Sequence, residues 1–335
     1  MAEKHEKKQE TAPIVFSFGD PEPVLDNRLI DYLGVFPHFA GDYYQPPVSL
    51  QGLVRIMRAN GYHETALFFK RNQFMNYWLE NKLIGRKEMR NAVLDLHVLG
   101  NAYFQVFRNG LDGITRIARL PALTMRKGIE PGLFFRVKKN GKTVSYRKGE
   151  VLHIHETDLE QDIYGVPQYL GGIQSILLSE ASTIFRRRYY INGAHLGYVL
   201  VTHDLDEDTA KAIKEKLDKS KAAGNFRSLY LNISTPQLAR NRDKKSVELI
   251  PVGDIANKDE FEQIKRVTRD DILAIHRIPP ALAGVMPDQP GGYGDIDKVN
   301  RWYFLNEVSP MIRMMRELNE HLPRRHRVRF REPEL

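Results

Sequence analysis

His153, His155, Glu156 and Asp158 stand within six residues of one another. Imidazole and carboxylate groups at such spacing can hold a divalent metal ion. On a strand, His153 and His155 share one face, which would point two nitrogens at one ion. No distant partner of matching type is identifiable, and a strand with one solvated face accounts for the pattern more simply. A second set, Asp288, Asp295, Asp297 and Lys298, loosely matches the carboxylate–lysine groups of metal-dependent nucleases. That chemistry needs its acids on a rigid core. These acids straddle a glycine-rich loop and a helix start, where Asp295 reads as an N-cap. Asn140-Gly141-Lys142-Thr143 ends like a phosphate-binding loop, but Arg136 occupies the position of the first glycine and strands flank the stretch, so it reads as a hairpin turn. No nucleophile elbow or triad-like arrangement is found.

Three further groups carry charge or mobility. Arg186, Arg187 and Arg188 run into Tyr189 and Tyr190 and stop at Asn192-Gly193. Arginine beside aromatics serves nucleic-acid binding and equally serves hydration and gripping at a helix end. Consecutive helical positions point 100° apart, so the cluster cannot face one partner. Lys211, Lys214, Lys216, Lys219 and Lys221 crowd a helix that also holds Glu207, Asp208, Glu215 and Asp218. A solvated helix with i, i+4 pairs explains most of this, and docking of a partner or of DNA is the second reading. The stretch 284–294 carries Met286, Pro287, Asp288, Gln289, Pro290 and Tyr293 among four glycines, including Gly291 and Gly292. It reads either as a connector or as a moving element.

These groups need elements to position them. The 335 residues suffice for two domains or one elaborate domain. Hydrophobic residues make up 42% and charged residues 27%, ordinary for a globular chain, and the net charge of +8 mildly favours an acidic partner. With no cysteine, disulfides and thiolate metal sites are excluded. No apolar run is long enough to cross a membrane, and MAEKHEKKQE lacks the apolar core of a signal peptide, so residues 1–15 read as a charged, disordered arm. Helices are expected at 49–59, with Ser49 as N-cap and Asn60-Gly61 as a left-handed stop, and at 87–99, 168–191, 206–221 and 258–277, with another from Asp295 that Pro310 must break or kink. Strands are expected at 102–108, 134–147 as a hairpin, 151–156, 197–202, 228–233, 246–252 and 327–331. The fold class is α+β. A small strand–helix–strand–strand unit near 195–255 sits between two long helices, as a tip on a helical stalk.

The segments FSFGDPEPVL, YYQPPVSLQGL, VLGNAYFQVFRN, DIYGVPQYLGGIQSILLSEASTIFRRRYYINGAHLGYVL, FRSLYLN, IPVGDIANKDEF, DILAIHRIPPALAGV and GDIDKVNRWYFLNEVSPM appear in this order. In combination and order, the chain resembles the portal proteins of tailed bacteriophages, in the PBSX-type family of contractile-tailed phages and prophages. The resemblance runs nearly end to end and is most specific at 164–198 and 276–310. It implies a ring, normally a dodecamer, at one capsid vertex. It implies a wing at 16–167 and 295–335, stem helices at 168–192 and 258–280, a clip at 193–257 and a tunnel loop at 281–294. The chain ends soon after the wing helix, which leaves no room for the long C-terminal crown of larger portals.

The implied function is structural and non-enzymatic, with no cofactor: a conduit for double-stranded DNA during packaging and ejection. The implied partners are further copies of the chain, the terminase large subunit that supplies ATP-driven force, capsid or scaffold protein, and head-completion or tail connector proteins, without a membrane. The implied location is the virion, and the bacterial host cytoplasm during assembly. Under this reading the tunnel loop offers Met286, Asp288, Gln289, Gly291, Gly292 and Tyr293 to DNA. Arg186–Tyr190, Asn192 and Gly193 form the stem–clip junction, and Lys211, Lys214, Lys219 and Lys221 form a terminase-docking surface. The rival from the residues alone is a metal-dependent DNA-processing enzyme using His153, His155 and Glu156.

Overall fold

The computed structural model describes residues 34–38, 41–138, 140–191, 198–203, 208–209, 211–213, 229–233, 247–251, 258–285 and 294–332. The chain divides into two compact units, one of residues 1–24 and 181–263 and one of 25–180 and 264–335. The division falls inside two helices.

In the larger unit, α1 (Leu50–Ala59) starts where Ser49 Oγ accepts the Gly52 N–H at 3.1 Å. Asn60 was expected to end this helix, and it does so in an extended conformation (φ −118°) rather than a left-handed one. The reason is a second duty. Its Oδ1 accepts the Tyr62 and His63 N–H groups and starts α2 (Gly61–Tyr77), while its Nδ2 donates to Ile176 O at 2.8 Å. One buried amide thus ends one helix, caps the next and ties both to a distant third. α3 (Arg86–Leu99) ends at Gly100, whose φ of 71° is the left-handed stop.

The strands are β1 (Asn101–Arg108), β2 (Ile114–Leu120), β3 (Met125–Lys127), β4 (Phe134–Val137), β5 (Thr143–Tyr146) and β6 (Val151–His155). They form two antiparallel sheets, in the orders β2-β1-β6 and β3-β4-β5. Gly141 (φ 77°) turns the hairpin between β4 and β5, with Lys138 and Lys142 paired across it. Between α3 and β2, Asp95 takes a bidentate grip on Arg119 (2.6 and 2.7 Å) and also accepts the Ala122 N–H. Two apolar clusters fill the unit. In one, Met89, Val93, Leu96, Phe104, Ile117 and Met315 are fully buried. The other centres on Leu53, Leu67, Tyr103, Met125 and Ile176.

The block 164–172 is a strap. Gly165 donates its N–H to Asn101 Oδ1 at 2.9 Å, and Asn101 Nδ2 donates back to Gly165 O at 2.7 Å. Backbones approach so closely here that a Cβ on Gly165 would meet Gly100 O and sit 2.5 Å from Glu156 N. Tyr164 OH donates to Tyr44 O (2.6 Å) and accepts the Lys127 N–H (2.9 Å), pinning the strap to the second sheet's edge. α4 (Ile173–Ile191) follows a 3-10 turn at Leu170–Gly172. The helix expected from 168 therefore starts five residues later, because the strap occupies the preceding stretch. At Gly172 the chain presses against the Ile275 side chain of α5 (Lys258–Ile275), with no room for a Cβ.

α6 (Ile296–Tyr303) opens on Asp295, whose Oδ1 accepts the Lys298 N–H at 3.1 Å. The break expected at Pro310 takes the form of a π-helical turn at Phe304–Val308, leading into α7 (Ser309–Met315). The wider turn lets the chain continue past a residue with no N–H. Asn306 Nδ2 reaches back to Trp302 O at 2.8 Å. The strand expected at 327–331 is not formed. Its only ladder contact is a single bridge between Trp78 and Phe330.

In the smaller unit, β7 (Tyr198–His203) lies between β8 (Leu229–Ile233), its parallel partner, and β9 (Val247–Pro251), its antiparallel partner. A parallel pair requires a crossover, and residues 208–209 and 211–213 of the intervening stretch are helical. The rest of the helix expected at 206–221 lies outside the described residues, as do the arm 1–15 and the segment 16–25.

The crowding at Gly165 gives a first test. Gly165→Ala should destabilise the fold by about 1–3 kcal/mol through overpacking, whereas Gly110→Ala, with open space around it, should change little. Equal urea midpoints for the two variants would show that the strap is not tightly packed.

Candidate functional site

α2 buries a mixed stripe: His63, Leu67, Lys70 and Phe74 recur at helical spacing. The polar members meet the end of α5. His63 Nδ1 and His276 Nε2 lie 2.8 Å apart, with both residues buried. One ring must donate and the other accept, so two imidazolium ions cannot share this bond. Tyr169 packs edge-on against His63 at 4.5 Å between ring centres, and its hydroxyl donates to Val98 O at 2.8 Å. Burial lowers His63 to about 4. His276 is lowered to about 2 by burial, with His63, Lys70 and His97 adding repulsion. His97, which is half-buried, is likewise held well below its ordinary value, first by burial of its ring and then by Lys70.

Immediately after His276 the backbone does something costly. Arg277 adopts a left-handed conformation (φ 55°), which non-glycine residues resist. It closes α5, with Arg277 N–H donating to Ala274 O and Ile278 N–H to Leu273 O, both at 2.9 Å. The Arg277 guanidinium reaches Glu307 Oε1 at 3.4 Å, and the buried Lys70 ammonium lies 3.9 Å from Glu307 Oε2. Glu307 sits in the π-helical turn. Burial lowers Lys70, with Glu307 opposing that shift. Lys70, His97, Glu156, Gln168, Tyr169 and His276 line a cavity of about 10 Å³, enough for one water.

This cluster is an anchor. It joins α2, α3, the strap, the end of α5 and the π-helical turn through polar groups that leave little freedom. It was missed in the sequence, although His63 and Lys70 on an otherwise apolar helical stripe were a visible signal.

The histidine–carboxylate set is split. His153 and His155 do share one face of β6, with ring centres 4.7 Å apart. His153 stacks on Tyr103 (4.2 Å, 6°) and donates from Nε2 to Asn101 Oδ1, and His155 donates from Nδ1 to Glu156 O. Glu156 points to the opposite side, as strand alternation demands. It accepts from Gln168 Nε2 at 3.1 Å and lines the Lys70 cavity. Among the described residues no three or more His, Cys, Asp or Glu groups are placed to hold a metal ion.

Arg186 and Arg187 lie on α4, the first half-buried and the second exposed, and Arg188, Tyr189 and Tyr190 continue the helix to Ile191. Asn192 and Gly193 lie outside the described residues, as do Lys214, Lys219, Lys221, Met286, Asp288, Gln289, Gly291, Gly292 and Tyr293. Lys211 is helical and exposed. The approach to the 286–293 stretch is described: Pro279 O and Pro280 O accept from Leu282, Ala283 and Val285 in a tight turn, and Gly284 (φ 70°) and Gly294 (φ 64°) flank the stretch.

A family model described as phage portal protein matches residues 70–335. The chain belongs to this family. It is 34% identical over 307 residues to the probable portal protein of Escherichia phage P2, covering 91% of this chain and 87% of that protein. It is 33% identical over 295 residues to the probable portal protein of Haemophilus phage HP1, covering 86% and 84%. The fold is shared with a chain in the neck of gene transfer agent particles, at 13% identity. TM-scores are 0.59 for the empty particle, computed with C6 symmetry, and 0.57 for the native one, computed with C12 symmetry. The match covers 85% and 84% of this chain, and 84% of the other chain in each case. No helix among the described residues is long and apolar enough to cross a membrane.

The histidine pair has a pH consequence. Its rings stay neutral in the folded chain down to about 4 and about 2, while the unfolded chain takes up protons near 6.5. The unfolded state therefore binds more protons between pH 6.5 and 4, and stability falls as pH drops through that window. Asp95 and Glu156, raised chiefly by burial, act with the opposite sign, so a comparison of variants isolates the histidines. His276→Gln should flatten the pH slope of stability by up to one proton, about 1.4 kcal/mol per pH unit. Urea midpoints at pH 7, 6 and 5 measure this, and an unchanged slope would exclude the pair as its source.

Proposed function

We propose that the chain assembles into a ring at one vertex of a phage capsid and passes duplex DNA inward during packaging and outward during ejection. The observation that carries this reading is the family match across 70–335, and the cyclic symmetry of the structural neighbours supports a closed ring. In this reading, residues 16–167 and 295–335 form the wing, 168–192 and 258–280 the stem, 193–257 the clip, 281–294 the tunnel loop, and 1–15 an arm. The protein acts without catalysis and without a cofactor. Force comes from a separate terminase, which docks at the clip with Lys211, Lys214, Lys219 and Lys221. Capsid or scaffold protein and head-completion or tail connector proteins engage other faces. The host cytoplasm is the place of assembly. Nothing in the geometry supports the metal-dependent enzyme.

The tunnel loop touches DNA without gripping it. Asp288 repels phosphate, Met286, Gln289 and Tyr293 offer neutral contacts, and Gly291-Gly292 leave the backbone free to move. At the stem–clip junction, Arg186 to Tyr190 serve neighbouring subunits and the helix end, with Asn192 and Gly193 as the stop. Twelve copies of a lumen-facing arginine triplet would bind many phosphates at once and stall DNA.

Two outcomes test this function. Sedimentation at micromolar concentration should show a species far heavier than a single 335-residue chain, and a strict monomer at every salt concentration sinks the ring. Gly291→Val with Gly292→Val should leave the ring intact yet lower the yield of filled particles. Wild-type filling would make the loop a passive connector.

A further inference from the structure

Residues 324–331, Arg-Arg-His-Arg-Val-Arg-Phe-Arg, hold five arginines and no acidic residue. Arg324–His326 form a 3-10 turn, and residues 327–331 run extended and are strapped on both sides. Val328 exchanges two hydrogen bonds with the Asn319 side chain, at 2.6 and 3.1 Å. On the other side, Asn81 Nδ2 donates to His326 O, Leu79 N–H to Arg329 O, and Arg331 N–H to Tyr77 O. The side chains then alternate. Val328 and Phe330 are 2% and 7% exposed and belong to the apolar core, so Arg327, Arg329 and Arg331 must face outward, and all three are exposed. Arg324 and Arg325 are exposed at the start of the segment, and Arg316 stands over the Phe330 ring at 5.8 Å.

Two features set this row apart from an ordinary solvated surface. First, among the described residues none of the five guanidinium groups of 324–331 lies within ion-pair distance of a carboxylate. Exposed Glu317, Glu320 and Glu332 lie nearby in sequence, yet none of the three is within ion-pair distance of the row. Second, the row is rigidly spaced. Alternate residues of an extended chain repeat about every 6.6 Å, so Arg327 to Arg331 span about 13 Å. A surface that served only solubility would gain nothing from a fixed row, nor from five arginines without a lysine. Arginine's planar fork, by contrast, matches phosphate oxygens two at a time.

We infer that this arginine row is a docking surface for the phosphate backbone of duplex DNA, read without sequence preference. The choice of DNA over an acidic protein rests on the proposed conduit function. The chemistry also separates the row from the sliding path. Several cations per copy without carboxylate partners hold DNA in place, so this surface would hold DNA at rest, distinct from the sliding surface proposed for the tunnel loop.

The test uses the full chain and a 30-base-pair duplex of random sequence. Binding is followed by fluorescence anisotropy between 50 and 200 mM NaCl. The variant Arg327→Gln, Arg329→Gln, Arg331→Gln removes three contacts, and a second variant, Arg55→Gln, Arg58→Gln, Lys87→Gln, removes the same charge from other exposed positions. The row variant should lose about 2.7 from the slope of log affinity against log salt, so that its change over this range shrinks about 40-fold. The control should stay close to wild type. Equal slopes for the two variants overturn the inference, as does a row that binds polyglutamate and ignores duplex DNA. Sedimentation of the same samples reads ring formation separately, so a failed conduit and a failed DNA row give different results.

Discussion

The end of α5 is held by a hydrogen bond between two uncharged rings, His63 and His276, and much of the larger unit is arranged so that both stay uncharged. Tyr169 walls off one side, and His97 and Lys70 close another. The bond is short at 2.8 Å, and burial strengthens it, because its surroundings are far less polar than bulk water. Burial also makes it conditional, since it disfavours charge on either ring, Lys70 adds a positive field at His276, and two protonated rings would leave no acceptor between them. The strap at 164–172 supplies Tyr169 and Gln168 to this place. The Gly100–Asn101–Gly165 contact is therefore part of the same construction and not a separate device.

Glu307 links this anchor to the segment that follows it. Its carboxylate lies near both Lys70 and Arg277, and it sits in the one π-helical turn among the described residues. Arg277, in turn, sits in a strained left-handed conformation. Two backbone irregularities thirty residues apart are thus joined by one ion pair. Strain of this kind persists only where the surroundings over-determine it. Here the surroundings are the helix end behind Arg277, Pro279-Pro280 ahead of it, and a carboxylate whose position is set by the wider turn that Pro310 requires. The pair brings together the two ends of the excursion that contains residues 286–293.

Much of the architecture was legible in the sequence because it rests on local rules. Ser49, Gly100, Gly141 and Asp295 cap or turn as their residue types dictate, and the strand spacings followed from period-two patterns. The departures have a common cause in long-range contacts. Asn60 is extended because it must also reach Ile176 O. α4 starts late because Tyr164, Gly165 and Tyr169 are committed to the strap. Residues 327–331 alternate like a strand but meet the neighbouring backbone only at the single bridge to Trp78, and on their other side find the Asn319 side chain. The buried anchor was the largest omission. A histidine or lysine on an apolar stripe shows that a partner exists, but its identity, here His276 from 213 residues away, is decided by tertiary packing. The split of His153 and His155 from Glu156 was implicit in strand alternation, which placed them on opposite faces.

In the proposed conduit, the contrast between charge placements bears on how the chain avoids trapping its own cargo. Affinity for duplex DNA rises steeply with each phosphate neutralised and is weak where cations are paired or sparse. Lys70 and Arg119 are committed to Glu307 and Asp95 inside the fold, and Arg277 to Glu307 at its edge, so none of them is available as a freely adaptable phosphate contact. Among the described residues the arginines of 324–331 have no carboxylate within ion-pair distance, and three of them stand on an extended row that the core holds from behind through Val328 and Phe330. A flexible tail of the same composition would lose conformational freedom on binding, whereas a row already fixed by hydrogen bonds to Tyr77, Leu79, Asn81 and Asn319 does not. The same burial that makes the apolar side chains of this segment structural therefore makes its arginines a preorganised surface.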